Sequence, residues 1–113
     1  RIRERDIIDE LTSTAGIVVA TGGGAILSAV NRERLAARGT VVFLDTTIDQ
    51  QLARTRKSRH RPLLATADRR ATLEELMRVR DPLYRSIARI TIRTDGRPAG
   101  AVAGDIEKAL GNL

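Results

Sequence analysis

The chain is 113 residues long, 42% hydrophobic and 30% charged, with a formal net charge of +6. That is one domain or part of one, able to bury a modest core, and the composition excludes wholesale disorder. It has no cysteine and one histidine, His60, which excludes a disulfide scaffold and a thiolate metal site and argues against a histidine-based one. No apolar run approaches the ~18 residues of a membrane span, and no signal-like apolar stretch follows the start. These features suit a cytoplasmic protein. The first residue is Arg1, already in a helix-like pattern, so the sequence reads as opening in mid-domain.

Residues 1–13 are predicted to be helical, with Arg1, Glu4, Ile8 and Leu11 on one face. Residues 17–20, Ile-Val-Val-Ala, form a short β-branched run that suits a strand buried on both faces, ended by Thr21-Gly22-Gly23-Gly24. Helical spacing returns over 26–38, with Gly39 as the C′ residue. Residues 40–44 read as a second strand, and Asp45-Thr46-Thr47 offer N-caps for a helix over 48–56. A basic stretch then runs into Pro62 and a helix-poor segment reaching about Arg70. Thr72 with Glu75 makes a capping box that opens a helix over 72–80, and Pro82 starts a further helical turn. Residues 89–93 alternate as a third strand, Gly96 and Pro98 make a turn, and Val102, Ile106, Ala109, Leu110 and Leu113 share one face of a closing helix. Three strands separated by helices predict an α/β fold with a small parallel sheet. Such sheets bind ligands beyond the carboxyl ends of their strands.

Four features could carry chemistry. The triple glycine removes every Cβ at the end of the first predicted strand. That either makes a flexible turn or lets a ligand approach the backbone. Five Lys/Arg lie between Arg54 and Arg61, and outside that stretch 15 basic residues face 14 acidic ones. A charge this local is either a solvated loop or a lid whose arginines close on phosphates. With only Phe43 and Tyr84 as aromatics, stacking on single-stranded nucleic acid is disfavoured. Arg80 follows Leu73, Leu76 and Met77 at i, i+3, i+4, i+7, so it shares the apolar face. An inward guanidinium needs a partner, either a structural carboxylate or an anionic ligand. Arg1 and Glu4 are i, i+3 neighbours, ordinarily a surface pair, and matter only if that face turns toward the glycines. The phosphate-cradling G-x-x-x-x-G-K-[ST] motif does not occur, since none of the nine glycines precedes a lysine.

In this order, Arg1-x-x-Glu4, Thr21-Gly22-Gly23-Gly24, Arg61-Pro62-Leu63-Leu64, Arg80-Asp81-Pro82-Leu83-Tyr84 and Ile92-Arg93-Thr94-Asp95 resemble the shikimate kinases over the whole length. Each motif alone is weak; five in order are specific. The resemblance implies a three-layer P-loop kinase-like α/β fold with a parallel sheet, here incomplete, and a lid over about 57–70. It implies transfer of the ATP γ-phosphoryl group to the 3-hydroxyl of shikimate in aromatic amino acid biosynthesis, with Mg2+.

Residue by residue, the resemblance places Arg1 and Arg80 on the shikimate carboxylate and gives Glu4 the orienting role. Gly22, Gly23 and Gly24 line the shikimate pocket, in the family's degenerate Walker B region. Arg61 reaches the transferring phosphate as the catalytic arginine, and Arg54 and Arg97 pack against adenine. The family's P-loop, first strand and magnesium-binding aspartates lie upstream of the matched segment. The expectation is therefore a chain without its phosphate site, inactive alone and prone to self-association, where a complete one would be monomeric. The partners expected are shikimate and ATP, with no nucleic acid and no membrane. Two rival readings are another small-molecule P-loop kinase, such as a gluconate kinase relative, and a basic nucleic-acid-binding module. The latter leaves the triple glycine and Arg80 unexplained.

Overall fold

A computed structural model describes residues 2–56 and 66–113. The chain opens with α1 (Ile2–Thr12), followed by an irregular segment and a 3-10 turn over Gly23–Leu27. Then come α2 (Ala29–Arg38), β1 (Val42–Asp45), α3 (Ile48–Arg56), α4 (Thr66–Ile87), β2 (Ile90–Arg93) and α5 (Ala99–Gly111). β1 and β2 pair in parallel, with Val42 opposite Ile90 and Asp45 opposite Arg93. Parallel neighbours need a crossover, and α3 with α4 supply it. The buried apolar residues include Ile8, Ala25, Ile26, Phe43, Leu52, Ile90 and Val102, drawn from both strands, the 3-10 turn, α1, α3 and α5.

Local chemistry explains most boundaries. Thr47 caps α3, its Oγ1 accepting from the Gln50 N–H at 3.2 Å. Ser28 caps α2 in the same way, accepting from the Asn31 N–H at 3.3 Å. Gly96, expected in the turn between β2 and α5, takes a φ of +63°, in the left-handed region that glycine enters freely. Beyond the carboxyl ends of the strands, the two connections are stitched together. Thr46 Oγ1 and Thr94 Oγ1 lie 2.8 Å apart, and the Thr47 N–H donates to Asp95 Oδ1 at 3.0 Å.

Five expectations are corrected. Residues 17–20 join no strand ladder among the described residues, and Val18 is 99% exposed. β-propensity makes a strand only when a neighbouring strand takes its N–H and C=O groups, and none does here. The predicted three-stranded sheet is therefore two-stranded among the described residues. α4 begins at Thr66, not at Thr72, so the helix-poor segment stops short of Arg70. Arg70 pairs with Asp49 of α3, which fastens this early part of the helix. Thr72 and Glu75 accordingly sit mid-helix, where Glu75 pairs with Arg78 at 2.6 Å.

Pro82 lies inside α4 rather than at a helix start. It leaves the Arg78 carbonyl without its usual donor, while an Asp81–Arg85 pair at 2.8 Å spans the gap. Gly39 ends α2 in an extended conformation, φ −159°, so it is not a left-handed C′ residue. The expected positions of Arg1 and Arg61, and most of the expected lid, lie outside the described residues.

Candidate functional site

α1 turns one stripe toward the glycine-bearing segment. Glu4, Ile8 and Leu11, expected on one face, line a cavity of about 420 Å³ with Arg3, Thr21 and Gly22. A second hollow of about 210 Å³ is lined by Glu4, Arg5, Gly24, Leu27, Ser28 and Asn31. Glu4 thus faces the hollows on either side of the triple glycine, the condition under which its position matters.

The three glycines have distinct surroundings. None takes a positive φ, so conformational freedom does not explain them. At Gly23 a Cβ would lie 2.9 Å from Arg80 Nη1 and 3.2 Å from Tyr84 Oη, closer than real Cβ atoms ordinarily stand. At Gly24 it would meet only Arg80 Nη2 at 3.9 Å, and at Gly22 nothing within 4 Å. The sequence left open a flexible turn or the approach of a ligand; what the structure shows at Gly23 is close approach of a side chain of the same chain, Arg80.

Arg80 projects from α4 onto this turn, as its spacing with Leu73 and Met77 requires. Its Nε is buried without a hydrogen-bond partner, and no carboxylate of the described residues lies within 4.0 Å of its guanidinium. The structural ion pair is therefore not seen among those residues. A cation held at a glycine turn without an acid beside it is suited to an anion.

The support of this turn escapes sequence reasoning. Tyr84, one helical turn beyond Arg80, donates from its hydroxyl to the Gly23 carbonyl at 2.9 Å. Its ring stacks on Phe43 of β1, centroids 5.0 Å apart. Arg85 lies over Phe43 at 5.3 Å and bonds Asp81 and Asp45 at 2.8 and 3.0 Å. Those two carboxylates raise the Arg85 pKa above its usual value, Asp81 contributing most. From α2, the fully buried Asn31 donates through Nδ2 to the Ala25 carbonyl at 3.1 Å. The i, i+4 spacing of Arg80 and Tyr84 was the available signal; nothing local marks Asn31.

Arg54 is exposed on α3 and Arg97 follows β2, and neither lines the two hollows described above. Arg97 is held by Asp105 at 2.5 Å and donates to the Arg93 and Ala101 carbonyls. Among the described residues no helix is long and apolar enough to cross a membrane.

Comparison with known proteins places this geometry in a family. A family model described as shikimate kinase matches residues 1–111. A shikimate kinase of Vibrio cholerae serotype O1 is 54% identical over 110 residues, covering 97% of this chain and 63% of that protein. One of Actinobacillus pleuropneumoniae serotype 5b is 50% identical over 113 residues, covering 100% and 65%. This chain therefore spans less than two thirds of the length of these relatives. Among solved structures, shikimate kinase from Acinetobacter baumannii in complex with shikimate superposes with a TM-score of 0.83 at 43% identity, covering 98% of this chain and 63% of that one. Shikimate kinase from Bacteroides thetaiotaomicron, at 22% identity and a TM-score of 0.81, shares the fold. The α/β class is that of these P-loop kinase-fold proteins, and the chain belongs to the shikimate kinase family.

Proposed function

We propose that these residues form the acceptor side of an enzyme that transfers the γ-phosphoryl group of ATP to the 3-hydroxyl of shikimate. The observation that carries this reading is Arg80, half-buried against the Gly23–Gly24 turn with no acid of the described residues beside it. Shikimate is a hydroxylated carboxylate. A guanidinium recognises the carboxylate by paired hydrogen bonds, and bare backbone approaches the ring closely. That a family member of 43% identity has been solved with shikimate bound supports the same ligand.

In this reading Arg80 and Arg1 hold the carboxylate, Glu4 orients that side of the site, and Gly22, Gly23 and Gly24 form its wall. Arg61 neutralises charge on the transferring phosphate, since phosphoryl transfer depends on positioning and electrostatics. Arg54 and Arg97 pack against adenine, for which Arg97 would trade part of its contact with Asp105. Among the described residues no group of three acidic or histidine side chains could hold a metal ion. The 113 residues also contain no G-x-x-x-x-G-K-[ST] cradle.

Titration calorimetry of the 113-residue chain with shikimate, gluconate and ATP tests the reading. Shikimate is expected to bind, gluconate is not, and Arg80→Ala abolishes the shikimate heat. Binding of gluconate in preference, or shikimate binding indifferent to Arg80, would overturn it.

A further inference from the structure

We propose that Tyr84 is a positioning residue: its hydroxyl fixes the plane of the Gly23–Gly24 peptide and so sets how the glycine turn meets the ligand held by Arg80. This rests on the reading that the turn and Arg80 bind shikimate. A trans peptide is planar, so a donor that holds the carbonyl of one glycine also fixes the direction of the next N–H. The peptide opens the 3-10 turn, and with glycine on both sides no side chain of its own restrains its plane. The Tyr84 hydroxyl is the side chain that stops it, donating to the Gly23 carbonyl at 2.9 Å.

The hydroxyl is itself held still. The ring of Tyr84 stacks on Phe43 with an interplanar angle of 19°, and Phe43 is a buried residue of β1. The bond therefore refers the turn to the sheet, not merely to a mobile side chain. The same hydroxyl stands 3.2 Å from the ideal Cβ position of Gly23, while Arg80 Nη1 stands 2.9 Å from it. Tyr84 and Arg80 both meet Gly23 from one helix, a turn apart, so α4 relates the guanidinium to the backbone it faces. The other side of the turn is secured separately, by Asn31 on the Ala25 carbonyl at 3.1 Å and Arg32 Nη1 on the Ile26 carbonyl at 2.7 Å. Removing the Tyr84 hydroxyl thus loosens one peptide and leaves the rest of the turn anchored.

The test uses the whole chain labelled with nitrogen-15 glycine, as wild type and Tyr84→Phe, which keeps the ring stack. Three readouts are taken: the glycine amide spectrum, the thermal midpoint, and the shikimate dissociation constant by calorimetry. The expected result is that the Gly23 and Gly24 signals move while the other glycine signals hold. The midpoint falls by about 2–8 °C and shikimate binds about 3- to 10-fold more weakly, both in the range for one neutral hydrogen bond. A merely structural role would shift glycines throughout the chain and lower the midpoint well beyond that range, and that outcome overturns the proposal. Equal shikimate affinity in the two chains overturns it as well. A wild-type chain that binds no shikimate instead overturns the reading on which the proposal rests.

Discussion

Adding one methyl group at Gly23 separates the two uses of a glycine more cleanly than any other change in this chain. Gly23 has no positive φ, so alanine carries no backbone strain. Alanine in a short helical turn is favoured by about 0.5–1 kcal/mol over glycine. Against that, its Cβ would stand 2.9 Å from Arg80 Nη1 and 3.2 Å from Tyr84 Oη. The guanidinium is the far end of a flexible side chain and must retreat by about half an ångström or more to reach the ~3.5 Å of ordinary contact. Tyr84 is stacked on Phe43 and has less room to yield, so its bond to the Gly23 carbonyl weakens, a loss of about 1 kcal/mol at most.

The gain and the loss nearly cancel, so Gly23→Ala should melt within a few degrees of wild type. Shikimate affinity should nevertheless fall tenfold or more, about 1.4 kcal/mol, because Arg80 has left its seat. Calorimetric titration beside thermal unfolding measures both. Unchanged affinity would refute the placement of Arg80 at the ligand. A collapse of the midpoint would show that Gly23 is needed for folding instead.

Arg80→Ala should weaken shikimate binding by about 2–4 kcal/mol, through loss of paired hydrogen bonds to a carboxylate, and leave nucleotide binding in a full-length relative nearly unchanged; equal losses for both ligands would refute the assignment. Arg61→Ala in an active full-length relative should lower kcat more than it raises either KM, since charge develops during transfer; a change confined to the KM for shikimate would make Arg61 a substrate anchor. The 113 residues alone should release no ADP with shikimate and ATP in a coupled assay, because they contain no phosphate cradle; shikimate-dependent release would refute this.

Asp9→Asn should lower the thermal midpoint at neutral pH. The hydrogen bond from Arg38 holds the Asp9 carboxyl below its ordinary 3.8, with Arg34 adding attraction and desolvation opposing. A depressed folded pKa contributes stability that is present above the unfolded value and lost as pH falls through the folded one. The difference between wild type and Asp9→Asn should therefore fade at more acid pH, and a difference that persists there would refute the electrostatic origin.

The parts of the fold legible in the sequence are those decided locally. α1, β1, α3, β2 and α5 each follow from a hydrophobic period, a cap or a glycine turn within a few residues of the element. Residues 17–20 fail because strand status belongs to a pair: Ile17, Val18 and Val19 have the propensity, but no neighbour takes their backbone groups among the described residues. The break expected before Pro82 fails for the opposite reason. Contacts on both sides, Asp81 with Arg85 and Tyr84 with Gly23, hold the helix through a residue that would interrupt it in isolation. That Glu4, the glycines and Arg80 come together was legible because a helical face and a run of glycines are one-dimensional patterns. The bonds of Tyr84 and Asn31 to the turn cross 61 and 6 residues and end on backbone carbonyls, which no residue type announces.

The double attachment of Arg85, to Asp81 on its own helix and to Asp45 at the end of β1, indexes α4 against the sheet. One residue along an α-helix is a rotation of about 100° and an advance of about 1.5 Å. A helix that slipped by a single residue while keeping its axis would swing Arg80 off the glycines and onto a neighbouring face. One residue inserted or deleted between Arg80 and Arg85 does the same, even when every side chain is retained. α4 should therefore accept substitutions at exposed positions such as Ser86 far more readily than any change of length between Arg80 and Arg85, and the distance in sequence between those two arginines behaves as a dimension of the proposed site.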